Sequence, residues 1–158
     1  MRLVVIVAVV AIFLVGCGEP PAAPPPPDAT ADPAYGKTVE QLATMTREAD
    51  ALFRAGKPDD AGALVEKGVP LESQLLSALH PTLGAMEAAS DLDDLYGRML
   101  LSNRHYAWAQ TMFQKNVARW KYWQPQSADT ERRMKQAQAA VDECERGMMK
   151  GAPKVSTQ

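Results

Sequence analysis

Hydrophobic residues change rhythm twice along the chain. Leu3 to Val15 is an unbroken apolar run behind a lone Arg2, and Gly18 to Ala34 is dominated by proline. Beyond that, apolar positions recur every three or four residues and nothing alternates convincingly like a strand. This last region predicts six helices. Thr38-Val39-Glu40-Gln41 reads as a capping box ahead of Leu42, Met45, Ala49, Leu52 and Phe53, and Gly56 ends that helix. Pro58 fits the first turn of a second helix with Ala61, Leu64 and Val65, stopped at Gly68; Asp59 and Asp60 suit its positive dipole end. Pro70 opens a third with Leu71, Leu75, Leu76 and Leu79, and Pro81 a fourth that runs to about Ser102. The fifth spans Arg104 to Trp123, ahead of Pro125. Ser127 caps a sixth that carries Met134, Ala137, Val141, Cys144 and Met148. Short connections between helices imply antiparallel neighbours, so the expected fold class is all-α, built of helical hairpins.

The proline stretch sets the domain boundaries. Seven of the 12 prolines lie in residues 18–34. Proline fixes φ and removes a donor, so polyproline II is the expected state there. At about 3.1 Å per residue such a tether reaches roughly 50 Å, and it reads first as an inert spacer. The helical domain is expected at residues 35–151, long enough for one core, with a short tail at 152–158.

Leu14-Val15-Gly16-Cys17, at the end of the apolar run, resembles the lipobox of bacterial lipoprotein signal peptides. The resemblance implies that a signal peptidase removes residues 1–16 by cutting between Gly16 and Cys17. It also implies that fatty acyl chains on Cys17 anchor the mature protein to a membrane. A spanning helix is the poorer reading: Leu3 to Cys17 is 15 residues, about 22 Å at roughly 1.5 Å per residue, against about 30 Å of hydrocarbon. Several chains are needed because one acyl chain holds a protein only reversibly. Gly18, where an aspartate would signal retention, implies the periplasmic face of the outer membrane if the host is Gram-negative.

Two helix pairs resemble tetratricopeptide repeats, in which a small residue on one helix faces an alanine and then a bulky residue on the next. Ala49, Leu52, Gly56, Ala61 and Val65 carry the spacing once; Gly97, Leu100, Tyr106, Ala109 and Phe113 carry it again. Small side chains let helices cross closely while the large one fills the adjoining groove. Two departures stand out. The copies lie 48 residues apart, where the family repeats at 34, and Asp50 occupies a position where peptide-clamping members carry a basic or asparagine side chain. That particular clamp is therefore not implied.

Charge and chemistry narrow the function. The formal charge is −2, and losing Arg2 with the signal makes it one unit more negative, which speaks against nucleic acid as a partner. Lys37 to Asp94 holds 5 basic and 11 acidic residues, whereas Leu95 to Ala128 holds five cations and no acid. With Cys17 acylated, Cys144 has no intrachain disulfide partner and reads as a small core residue. His80 and His105 fall at helix boundaries, and no helical pair of metal ligands, nucleophile elbow, phosphate loop or dinucleotide fingerprint is present. Asp91, Asp93 and Asp94 read as a solvated helix start. No cofactor, metal or enzymatic activity is expected.

The fifth predicted helix carries the strongest hint of a contact surface. Six of the ten aromatic residues lie between Tyr106 and Trp123. At 100° per residue, Tyr106, Ala109, Phe113, Val117 and Trp120 form a core stripe in which Asn116 needs a partner. The opposite face gathers Arg104, Trp108, Lys115, Arg119 and Tyr122, a mixture of rings and cations typical of interfaces unless the sixth helix covers it. The expectation is a lipid-anchored envelope lipoprotein that acts as a non-catalytic adaptor, using this stripe to hold a protein with an acidic surface. A module for an anionic envelope ligand, wall glycan or lipid head groups, is the alternative, and a hydrolase stands third.

Overall fold

A computed structural model describes residues 28–151. Gly16, Cys17 and the rest of the signal segment, the proline stretch through Pro27, and residues 152–158 lie outside the described residues.

The described chain is all-helical, a set of antiparallel hairpins with no strand among those residues. A 3₁₀ turn at Ala29–Ala31 precedes α1 (Pro33–Arg54), α2 (Pro58–Leu76), α3 (Leu83–Ser102), α4 (Tyr106–Tyr122) and α5 (Ala128–Gly151). Helices α1 and α2 form one hairpin, α4 packs between α3 and α5, and α3 also contacts α1 and α2.

Five helices replace the six expected, because Gly68 and Pro70 interrupt nothing. Gly68 sits where α2 crosses its neighbours so closely that a Cβ would lie 3.1 Å from Leu92 and 3.2 Å from Leu42. Pro70 is inside α2 but on its exposed side, and burial of Ala61, Val65 and Leu75 along the opposite face holds the helix through it. Helix starts moved as well. α1 begins at Pro33, where the Asp32 carboxylate accepts from Ala34 N at 2.8 Å; Thr38 lies within the helix and donates its hydroxyl to Ala34 O at 3.0 Å. Thr82, not Pro81, caps α3, its hydroxyl accepting from Ala85 N at 3.3 Å. Ser127 caps α5 as expected, accepting from Thr130 N at 3.2 Å. Asp91, Asp93 and Asp94 lie mid-way along α3, so they do not form a helix start.

The main core lies among α1, α2 and α3, where Leu42, Leu75, Leu92 and Leu95 meet Ala49, Ala61 and Ala85. Each buried leucine contributes about 1.5–3 kcal/mol, and the alanines let the helices approach. A smaller cluster of Ala109, Phe113, Val141 and Cys144 joins α4 to α5, with burial raising the Cys144 thiol pKa. Tyr35 ties the start of α1 to the α2–α3 connection: its hydroxyl donates to Leu75 O at 3.1 Å and accepts from Thr82 N at 3.4 Å.

Candidate functional site

Helices α1, α3 and α5 line a run of polar hollows that share Asp91. Between α3 and α5 the hollow is about 340 Å³ and includes Asn116 of α4; beside it, between α1 and α3, are others of about 240 and 500 Å³. The groove exists because α3 packs on α1 and α4 but not closely on α5, so the gap is bridged by side chains. Two ion ladders form its floor. Arg98 joins α1 to α3, with Nη2 at 2.9 Å from Asp50 and Nε at 2.8 Å from Asp94. Arg133 joins α3 to α5, with Nη1 at 2.7 Å from Asp91 and Nε at 2.9 Å from Asp129. The Arg133 guanidinium also lies 5.5 Å from the centre of the Trp120 ring. Both guanidinium pKa values are raised; burial opposes the shift, and the hydrogen bonds to Asp94 and Asp50, or to Asp91 and Asp129, outweigh it. Arg47 and Arg132 sit exposed on the rims, donating to Thr44 Oγ1 at 3.0 Å and Gln136 Oε1 at 2.8 Å respectively.

The five residues of the predicted contact stripe have separate fates. Arg104 is not helical: it occupies the connection after α3 with φ 62°. Trp108 and Tyr122 are 68% and 75% exposed, one at each end of α4, so the last helix does not cover them. Lys115 and Arg119 between them turn toward a pair of buried carboxylates. Lys115 Nζ lies 2.7 Å from Asp93 and 3.7 Å from Glu72; Arg119 Nη2 lies 2.9 Å from Asp93 and 3.2 Å from Glu72. The Arg119 side chain is only 6% exposed, against 8% for Glu72 and 3% for Asp93. Two cations matched by two carboxylates leave no bare positive strip at the middle of α4.

The cluster extends into the core. Arg119 also donates to Asn116, whose amide donates to Ser90 O at 2.9 Å; the Trp120 indole donates to Ser90 Oγ at 2.9 Å. This satisfies the buried Asn116. Burial pushes the Glu72 carboxyl up to about 7, helped by the negative charge of Asp93 and resisted by Lys115 and Arg119. Asp93 is the closer counter-charge for Arg119, at 2.9 Å against 3.2 Å for Glu72.

Glu72 is not singled out by the sequence and Asp93 reads there as part of a solvated helix start, yet a signal for their burial existed. Glu72 falls on the buried face of α2 with Val65, Gly68 and Leu75, and Asp93 on that of α3 with Ser90 and Gly97. A carboxylate on an inward face, in a chain whose stretch from Leu95 to Ala128 has cations but no acid, calls for such pairing. His80 and His105 are exposed in connections, and no group of three His, Cys, Asp or Glu side chains among the described residues is placed to hold a metal ion. No family model matches the chain, nor does any curated protein or solved structure.

Proposed function

We propose that the chain is a lipid-anchored envelope lipoprotein acting as a non-catalytic adaptor, and that it holds a partner polypeptide in the groove across α1, α3 and α5. The groove carries this reading. It is extended and polar, it offers arginines and aspartates in alternation, and backbone amides and mixed-charge side chains of an extended segment complement such a surface. The tetratricopeptide-like spacing supports the same reading, because repeats of that kind bind along one face. Anchorage rests on Leu14-Val15-Gly16-Cys17, and among the described residues no helix is long and apolar enough to cross a membrane. The exposed rings of Trp108 and Tyr122 remain accessory contact points, whereas Lys115 and Arg119 serve the fold.

An anionic ligand such as wall glycan or lipid head groups is the second reading, favoured by Arg132, Arg133 and Gln136 around the α3–α5 hollow. Crosslinking in intact cells followed by mass spectrometry, with wild type beside Arg47→Glu/Arg132→Glu, tests both. The double variant should lose one specific protein partner while its circular dichroism and melting point hold. Sedimentation with purified wall material that the variant loses would favour the second reading instead. Cys17→Ala should move the protein out of the membrane fraction; retention there would refute the anchor.

A further inference from the structure

The end of the domain where the described chain begins carries an apolar groove of about 450 Å³. It is lined by Leu79, His80 and Pro81 of the α2–α3 connection, Met86 of α3, and Tyr122 and Trp123 at the end of α4. Leu79 is 83% exposed and the Tyr122 ring stands open beside it, an unusual cost for residues of this size in water. The groove is held in shape. The Gln126 side-chain amide donates to Trp120 O at 2.8 Å and Trp123 O at 2.7 Å, fixing the chain that presents Trp123.

We propose that this groove is the seat of the chain's own proline run, Pro24 to Pro27. Three observations select that occupant. The described chain starts at Asp28, and Tyr35, one turn into α1, fastens that start to the α2–α3 connection through its hydroxyl, 3.1 Å from Leu75 O and 3.4 Å from Thr82 N. His80 and Pro81 of that same connection line the groove. At about 3.1 Å per residue four prolines extend roughly 12 Å, a length on the scale of a groove of about 450 Å³. The chemistry also fits: proline runs dock between aromatic rings because their φ is already fixed and little entropy is lost on binding. The run is uncharged, as suits a groove whose exposed rims are Leu79 and Tyr122 and whose Arg119 is already paired with Asp93 and Glu72. Docking shortens the free tether to residues 18–23, so the domain is held near its point of attachment. The proposal stands whether or not Cys17 carries a lipid.

The test uses the full chain in detergent micelles, isotope-labelled, with the Trp123 indole resonance assigned through Trp123→Phe. Replacing Pro24 to Pro27 by alternating serine and glycine should shift the Trp123 indole and His80 ring signals. A synthetic peptide covering residues 18–28 should then return them, saturably, toward their original positions. Tyr122→Ala should weaken that peptide's binding about tenfold, as the loss of one anchor does. Signals unmoved by the proline replacement would overturn the proposal. So would signals that respond only to phosphatidylglycerol vesicles, which would make lipid the occupant, or only to protein concentration, which would make it a second copy.

Discussion

The hairpin α1–α2 and the hairpin α3–α4 are built on one plan, 48 residues apart, and differ in what fills it. Ala49 and Gly97, Ala61 and Ala109, Val65 and Phe113 are equivalent, all buried. Their connections also match. Gly56 has φ 74° with Lys57 N donating to Leu52 O at 3.0 Å; Arg104 has φ 62° with His105 N donating to Leu100 O at 2.9 Å. Both are helix ends closed by a left-handed residue, a position glycine fills without strain and arginine does not. Further along, Gly68 corresponds to Asn116 and Glu72 to Trp120. The first hairpin therefore closes over alanine and leucine. The second closes over a phenyl ring pressed on Gly97, a bonded indole and a four-charge cluster that Glu72 completes from α2. Apolar burial tolerates small shifts, whereas a buried ion cluster demands all its members at once. The second hairpin should be the more easily damaged.

Asp93→Asn should be the severest test, costing about 3–5 kcal/mol because Arg119 keeps its burial and loses its firmest counter-charge. Hydrogen exchange should show α4 and α5 losing protection before α1 and α2; uniform loss would erase the distinction between the hairpins. Gly97→Ala comes next. A Cβ there would lie 2.7 Å from the Phe113 ring, so a loss of about 1–3 kcal/mol is expected in chemical denaturation. A neutral result would mean that the second hairpin is as forgiving as the first.

Glu72 adds a pH dependence. Its folded pKa of about 7 exceeds the ordinary value of 4.5, so the folded state holds a proton that the unfolded chain releases. Its contribution to stability is complete below pH 4.5 and fades as pH rises to about 7. Glu72→Gln should flatten the melting temperature between pH 5 and 8 and change stability by on the order of 1 kcal/mol. An unaltered slope would assign the pH response to other groups. Arg104→Gly should be the mildest change, a gain of about 1 kcal/mol from relief of the left-handed backbone. A loss on thermal denaturation would show that the Arg104 side chain contributes more than its backbone costs.

Helix type and pairing were legible in the chain because periodic apolar positions, alanine spacing and Gly56 each act locally. Boundaries were not, where tertiary packing overrode a local signal: Gly68 and Pro70 look like a stop until Leu42 and Leu92 are seen against that face. The candidate site was the least legible part. Trp108 and Tyr122 were found exposed, yet the pairing of Lys115 and Arg119 depends on carboxylates 22 to 47 residues distant in the chain. The groove arises from a separation between α3 and α5, and a separation leaves no periodicity to read.

The Tyr35 hydroxyl has a mechanical consequence. A tug on the segment preceding Asp28 arrives at the first turns of α1, where this one oxygen is fastened to the end of α2 and the lead-in to α3. Load is thus shared with the end of α2 and the lead-in to α3, and peeling α1 away must first break these two bonds. The domain is fastened at the point where a leash would pull hardest.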